Sequence, residues 1–299
     1  MTPVQATLLV NSRCVLGEGL SWSVTRQAWL WTDIEKSCLW AYRPADGLTR
    51  QFQTPDRVGT FVLTESDRVI LGLAKGLGEA ALDLDGSDQL MVTMLVPVEA
   101  DLSMTRINDG RTDRSGAFVF GMYNEAGDGA RGSLYQYTRV HGLRRLDVGY
   151  VATANSICFS PDGATMFFTD TPTRRIRRCE YDSSRASVSR ITTFVEFGSQ
   201  PAGPDGSIID ADGGLWNAEW GSGFVRRYDT TGQVTDEVQL AAPHATCPGF
   251  GGPDLTDLCI TSARTALSAE QAAVHPTAGG LFHVRIPGRK GIADTLFRD

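Results

Sequence analysis

A short strand, a tight Gly-containing turn and a second short strand recur at intervals of about 50 residues, and this repeat restricts the fold more than any other feature of the chain. Apolar, β-branched and aromatic runs occupy 28–32, 69–73, 117–121, 166–169, 214–218 and 258–262. The clearest copies are FSPDGATMFFTD at 159–170, IDADGGLWNA at 209–218 and TDRSGAFVFG at 112–121. Each reads as a hairpin, because Asp, Ser and Gly supply the backbone freedom that tight turns need. A third strand follows at 132–137, 176–181 and 224–228. One such unit cannot bury both faces of its sheet alone, whereas a closed ring packs each sheet against the next. Six units in 299 residues therefore predict an all-β fold, a six-bladed β-propeller spanning 1–299 as one domain. Length alone, at roughly 150 residues per domain, would suggest two. The 32 glycines and 13 prolines are spread throughout, however, and no stretch resembles a linker. Ring closure is expected where 6–10 pairs with 280–284. One segment departs from the repeat: 265–273 has helix-favouring composition, with Ser268 and Gln271 at capping-box spacing and Pro276 beyond, so a short helix is expected within the last blade.

With 41% hydrophobic and 21% charged residues the chain can bury a substantial core. A net charge of -7 argues against nucleic acid as a partner, since phosphate binding needs a basic surface. The longest apolar runs, such as 28–31 and 69–73, fall far short of the roughly 20 residues that span a bilayer, and no basic stretch with an apolar core opens the sequence. No membrane association is expected. The six cysteines are widely spaced without a CxxC pair, which suits reduced thiols and a cytoplasmic setting.

The start of each innermost strand is where a side chain can reach the central channel. Glu18, Asn108, Asn155 and Asp205 occupy equivalent points there, separated by about 50 residues or about twice that where a blade is skipped. Asn and Asp beside Gly also make turns, but Glu is no turn former, and Glu18 between two glycines has no evident packing purpose. Two carboxylates and two amides form a hard-oxygen set suited to one divalent cation, Ca²⁺, Mg²⁺ or Mn²⁺, with Zn²⁺ or Fe²⁺ able to occupy an open O/N site. Asp109 and Asp113 are read as turn and surface residues. His141, His244, His275 and His283 lie beside no GxSxG elbow and are read as surface or packing residues. Most tryptophans sit within strand runs and are read as core, with Trp220, at a strand end, a candidate for the pocket wall.

The segments LGEG at 16–19, RINDGR at 106–111, Asn155 with FSPDG at 159–163, PDG at 204–206 with Trp216 and Trp220, and FGGPD at 250–254 resemble, in order and across nearly the whole chain, the signatures of the gluconolactonase and regucalcin (senescence-marker) family. The texture is most similar to that of bacterial sugar-acid lactonases acting on arabinono-, xylono- or galactonolactones. The resemblance implies a propeller with an axial divalent metal held by Glu18, Asn155 and Asp205, and with Arg106 and Asn108 facing the substrate. It further implies hydrolysis of a small-molecule sugar lactone, with Asp205 as general base. Where many members carry GTM, this chain has GMYNE at 121–125. Glu125 is the nearby acid that could contact sugar hydroxyls, and Tyr123 and Asn124 are expected to tune the substrate. A calcium-binding regulatory protein of regucalcin type is the alternative function. A non-catalytic scaffold fits less well, since it needs no matched Glu18, Asn155 and Asp205.

Overall fold

The computed structural model describes residues 2–198 and 202–299. They form six sheets, each with an antiparallel four-stranded core, consecutive in sequence in five blades and completed by an N-terminal strand in the sixth, and the six innermost strands pack side by side into a closed ring. These inner strands are Gly17–Ser23, Val58–Leu63, Thr105–Thr112, Ala154–Phe159, Gly203–Ile209 and Ala245–Gly251. The arrangement is a six-bladed propeller. Ala154–Phe159 and Gly203–Ile209 are buried along their entire length, whereas the outermost strand of the fourth blade, Ser187–Glu196, is largely exposed. Hydrophobic clusters fill the gaps between neighbouring blades, which is where a ring of twisted sheets removes apolar surface from water. Leu30 and Phe52 of the first blade meet Val69 and Leu71 of the second. Between the fifth and sixth, Trp216 meets Phe250 edge-on with centroids 5.7 Å apart.

The N-terminal segment closes the ring. Thr7–Val10 pairs antiparallel with Leu281–Arg285, bringing Leu8 opposite Phe282 in the sixth blade. Val4–Gln5 adds a parallel edge to Val234–Gln239 of the fifth, so this one segment stitches two blades together. The helix Ala269–Val274 lies between strands of the sixth blade, and its N-cap Ser268 and Gln271 form the reciprocal capping box. All six cysteines are buried and unpaired. After the last strand the chain crosses the ring. Gly291 bridges to Asp210, Phe297 is fully buried with its amide 2.7 Å from the Leu63 carbonyl, and Asp294 pairs with Arg111 at 2.6 Å.

Asp113 is a turn residue as expected, accepting from the Ser115 and Ala117 amides, but it is not on the surface. It is fully buried, and its second oxygen accepts from Tyr181 (2.7 Å) and Ser183 (2.5 Å) of the next blade. The carboxylate thus serves two tasks, shaping its own hairpin and fastening blade three to blade four. Asp210 shapes the corresponding hairpin of the fifth blade, but its donors Gly214 N, Trp216 Nε1 and the Arg227 guanidinium all belong to that same blade.

Each of the six inner strands carries a register shift at the same phase, between Glu18 and Ser21, Val58 and Thr60, Ile107 and Gly110, Asn155 and Cys158, Pro204 and Ser207, and Ala245 and Pro248. A bulge bends a strand and re-aims a side chain that regular pairing would direct into the sheet. This repeated defect turns the polar residues toward the axis. The second blade contributes none because its bulge is Gly59, where a Cβ would lie 2.2 Å from the Ile107 carbonyl oxygen of the third blade.

Candidate functional site

The bulges open into a cavity of about 330 Å³ at one end of the axis, with Glu18, Arg106, Asn108, Asn155 and Asp205 in its wall. Tyr123 and Trp220 also line it, together with Glu35, Thr153, Thr171 and Thr265. The inner strands continue to a second cavity, of about 230 Å³, at the opposite end, where Asp109, Arg111 and the C-terminal Asp294 lie. The tail therefore closes the far end of the channel.

Asn155 is held by its neighbours. Its amide nitrogen donates to Thr171 Oγ1 (3.0 Å), which in turn donates to the Pro204 carbonyl (3.0 Å). That fixes which end of the amide is oxygen and leaves Oδ1 to accept from Asn108 Nδ2 at 3.1 Å. The next residue, Ser156, has φ of 59°, the left-handed region that a side chain rarely occupies. Its hydroxyl, which donates to the Asp205 carbonyl at 2.5 Å, ties that turn to the following blade. Asn108 is fully engaged, since its Oδ1 accepts from Arg106 (2.7 Å) and its nitrogen also reaches the Ala154 carbonyl (2.9 Å). It acts as a strut between Arg106 and Asn155.

Glu18 and Asp205 form no ion pair among the described residues. Burial, then repulsion from Asp205 and from Asp109, pushes the Glu18 carboxyl well above the ordinary range. Burial and repulsion from Asp109 do the same to Asp205. Asp109 is more than a turn residue. It accepts from the Ile157 amide at 2.9 Å across a blade boundary, and burial raises its carboxyl too. Among the described residues no group of three or more His, Cys, Asp and Glu side chains is arranged to hold a metal ion. The oxygen set here is different in kind: two unpaired carboxylates and an oriented amide.

At the cavity mouth Arg106 is almost fully buried, lies over the Tyr123 ring at 4.8 Å and has Nε 3.5 Å from Glu125. Glu125 is gripped at both oxygens by Arg57, at 2.5 and 2.9 Å, and this contact holds its carboxyl below the usual range. Asn124 is not in the wall. Its amide nitrogen donates to Asp128 (2.8 Å) and to the Gly129 carbonyl (2.8 Å), and its oxygen accepts from the Ala126 amide, so the side chain braces its own loop. Trp220 stacks on His244 with centroids 4.1 Å apart, which places one histidine directly behind the wall. His283 instead pairs with Asp257 at 2.6 Å, outside the site. Sequence reasoning missed Arg57 and Glu35, whose neighbours at the mouth come from other blades, and Thr171, which joins Asn155 of its own blade to Pro204 of the next.

Residues 16–264 match the family described as the SMP-30/Gluconolactonase/LRE-like region, and this stretch contains every wall residue but Thr265. The chain belongs to that family. Within it, the chain is 41% identical to the L-arabinolactonase of Azospirillum brasilense, an alignment covering 93% of this chain and 91% of that one. It is 35% identical to the 6-deoxy-6-sulfogluconolactonase of Pseudomonas putida, covering 97% of each. Among solved structures, the calcium-binding protein regucalcin of Agrobacterium tumefaciens superposes with a TM-score of 0.91 at 29% identity over the full length of both chains.

Proposed function

We propose that this protein hydrolyses a sugar-derived lactone, of the arabinono-, galactono- or gluconolactone kind, to the corresponding aldonic acid, with one divalent cation in the axial cavity. The observation that carries this reading is the axial set itself: Glu18 and Asp205 without ion-pair partners, and Asn155 with its amide oriented by Thr171, all in one cavity with Arg106. Such carboxylate and amide oxygens suit a hard cation, and Glu18, Asn155 and Asp205 would hold it. When bound, that cation supplies Lewis-acid polarisation of the lactone carbonyl.

The chain's own residues supply the rest. Asp205 takes a proton from the attacking water as its oxygen adds to the carbonyl carbon. The same proton then passes to the ring oxygen as the C–O bond breaks, leaving a hydroxyl and a carboxylic acid that ionises. Arg106, braced by Asn108 and lying over Tyr123, presents a buried guanidinium to the carbonyl and hydroxyl oxygens. The apolar face of Trp220 gives the sugar ring a flat wall. The structural likeness to a calcium-binding regucalcin supports a second reading, in which the same site binds Ca²⁺ without turnover. A pH-indicator assay over five- and six-carbon aldonolactones, with and without chelator, separates the two. The hydrolase reading expects metal-dependent ring opening of at least one lactone. Rates equal to spontaneous hydrolysis with every divalent metal would reject it.

A further inference from the structure

The mouth of the axial cavity carries two arginines and two glutamates, equal in number and in contact with one another. Arg57 enters from the loop before the second blade and grips both oxygens of Glu125, which follows the second strand of the third blade. Its guanidinium also lies 4.0 Å from Glu35, a wall residue from the first blade. Arg106 shares the same Glu125 carboxylate from the cavity side at 3.5 Å. Lys75, a further cation near Glu125, donates to the Leu102 carbonyl and Thr105 Oγ1. Bidentate pairing fixes a carboxylate in plane and orientation as well as in charge. Glu125 therefore stands beside the wall residue Arg106 already positioned, and Arg57 is spent in positioning it.

We infer that Arg57 is a positioning residue of the lactone site, that it clamps Glu125 against Arg106, and that by balancing the charge at the mouth the clamp restricts the site to uncharged sugar lactones. This rests on the hydrolase reading above. A lactone bearing a carboxylate, sulfonate or phosphate finds Arg57 already committed to Glu125 and meets the carboxylates of Glu35 and Glu125, which offset the charge of Arg106. An uncharged polyol lactone finds instead one carboxylate acceptor held in place for its hydroxyls and one buried guanidinium for its oxygens.

The test uses Arg57→Met, Arg57→Lys and Glu125→Gln in the full chain, with two readouts. The first is the titration of the Glu125 carboxyl by carbon NMR, which needs no turnover. The clamp holds that carboxyl below the ordinary range, so Arg57→Met raises it and Arg57→Lys raises it less. A Glu125 titration indifferent to Arg57→Met overturns the clamp whatever the protein's activity. The second is the ratio of kcat/KM for a carboxylate-bearing hexarolactone to that for a neutral pentonolactone. Glu125→Gln releases the Arg57 charge into the mouth, and a charge-assisted contact with an anion is worth about tenfold or more, so the ratio rises by about that factor. Arg57→Met leaves Glu125 unbalanced, so the ratio falls while KM for the neutral lactone rises more than kcat changes. A purely structural arginine would not move the two ratios in opposite directions. An unchanged ratio in Glu125→Gln, or a rise in Arg57→Met, overturns the selectivity claim. If the wild-type protein opens no lactone, the hydrolase reading fails and the selectivity claim with it, while the carboxyl titration still decides the clamp.

Discussion

Gly59→Ala probes how tightly the second and third blades are pressed together beside the site. A Cβ there would sit 2.2 Å from the Ile107 carbonyl oxygen and 2.8 Å from that of Asn108. A carbon and an oxygen in ordinary contact stand more than 3 Å apart, so the two strands must separate by about 1 Å. The obstacle is backbone, which cannot rotate aside as a side chain could. Overpacking of this kind costs about 1–3 kcal/mol, and at roughly 2 °C per kcal/mol for a chain this long the melting temperature should fall by roughly 2–6 °C. The displaced strand carries Arg106 and Asn108, and Asn108 is the strut to Asn155. A misplacement of about 1 Å in a site costs on the order of 100-fold in rate. Lactone ring opening should therefore drop by one to two orders of magnitude in a protein that is still folded at 25 °C. Thermal unfolding by circular dichroism and initial rates from the same preparation check both parts. A variant with unchanged melting temperature and unchanged rate would refute the argument that this contact sets the position of the site.

Two further outcomes follow from buried charge. Arg227→Met leaves the Asp210 carboxyl without its ion-pair partner in a fully buried turn, which should destabilise the protein by about 3–5 kcal/mol; chemical denaturation measures it, and a loss below about 1 kcal/mol would contradict the role given to the pair. In chelator, Glu18 and Asp205 hold their protons more tightly in the folded chain than in the unfolded one. As pH rises above the ordinary carboxylate range of about 4, the unfolded chain releases protons first, and these two groups subtract stability until they ionise in the folded state as well. Asp205→Asn removes one of them, so its melting temperature relative to wild type should climb between pH 4 and pH 8 without metal. A difference that is flat or falling with pH would count against the crowding of carboxylates on the axis.

What the sequence disclosed was whatever the blades repeat. The hairpins at 112–121, 159–170 and 209–218 are local and share one turn chemistry, and the bulge at one phase of every inner strand made Glu18, Asn108, Asn155 and Asp205 visible as a series. Contacts made only by ring closure left no such trace. Arg57 and Glu125 are 68 positions apart and lie in different blades, and nothing local marks either as the other's partner. Asp113 looked like a surface turn residue because its hairpin chemistry is complete within five residues, while its contact with Tyr181 requires the neighbouring blade. Asn124 shows the opposite failure. It adjoins wall residues in sequence, but alternation along the strand and the loop at Asp128 and Gly129 turn it away. The C-terminal strap, with Phe297 buried and Asp294 on Arg111, follows no repeat at all.

The central claim is that the axial carboxylate Asp205 drives ring opening in the cavity it shares with Glu18 and Asn155. Turnover of the preferred lactone by Asp205→Asn, under saturating divalent metal and with folding verified by its melting curve, tests this most directly. Loss of a general base predicts a fall in kcat of about 100- to 10,000-fold. A folded Asp205→Asn protein turning over at close to the wild-type rate would contradict the account.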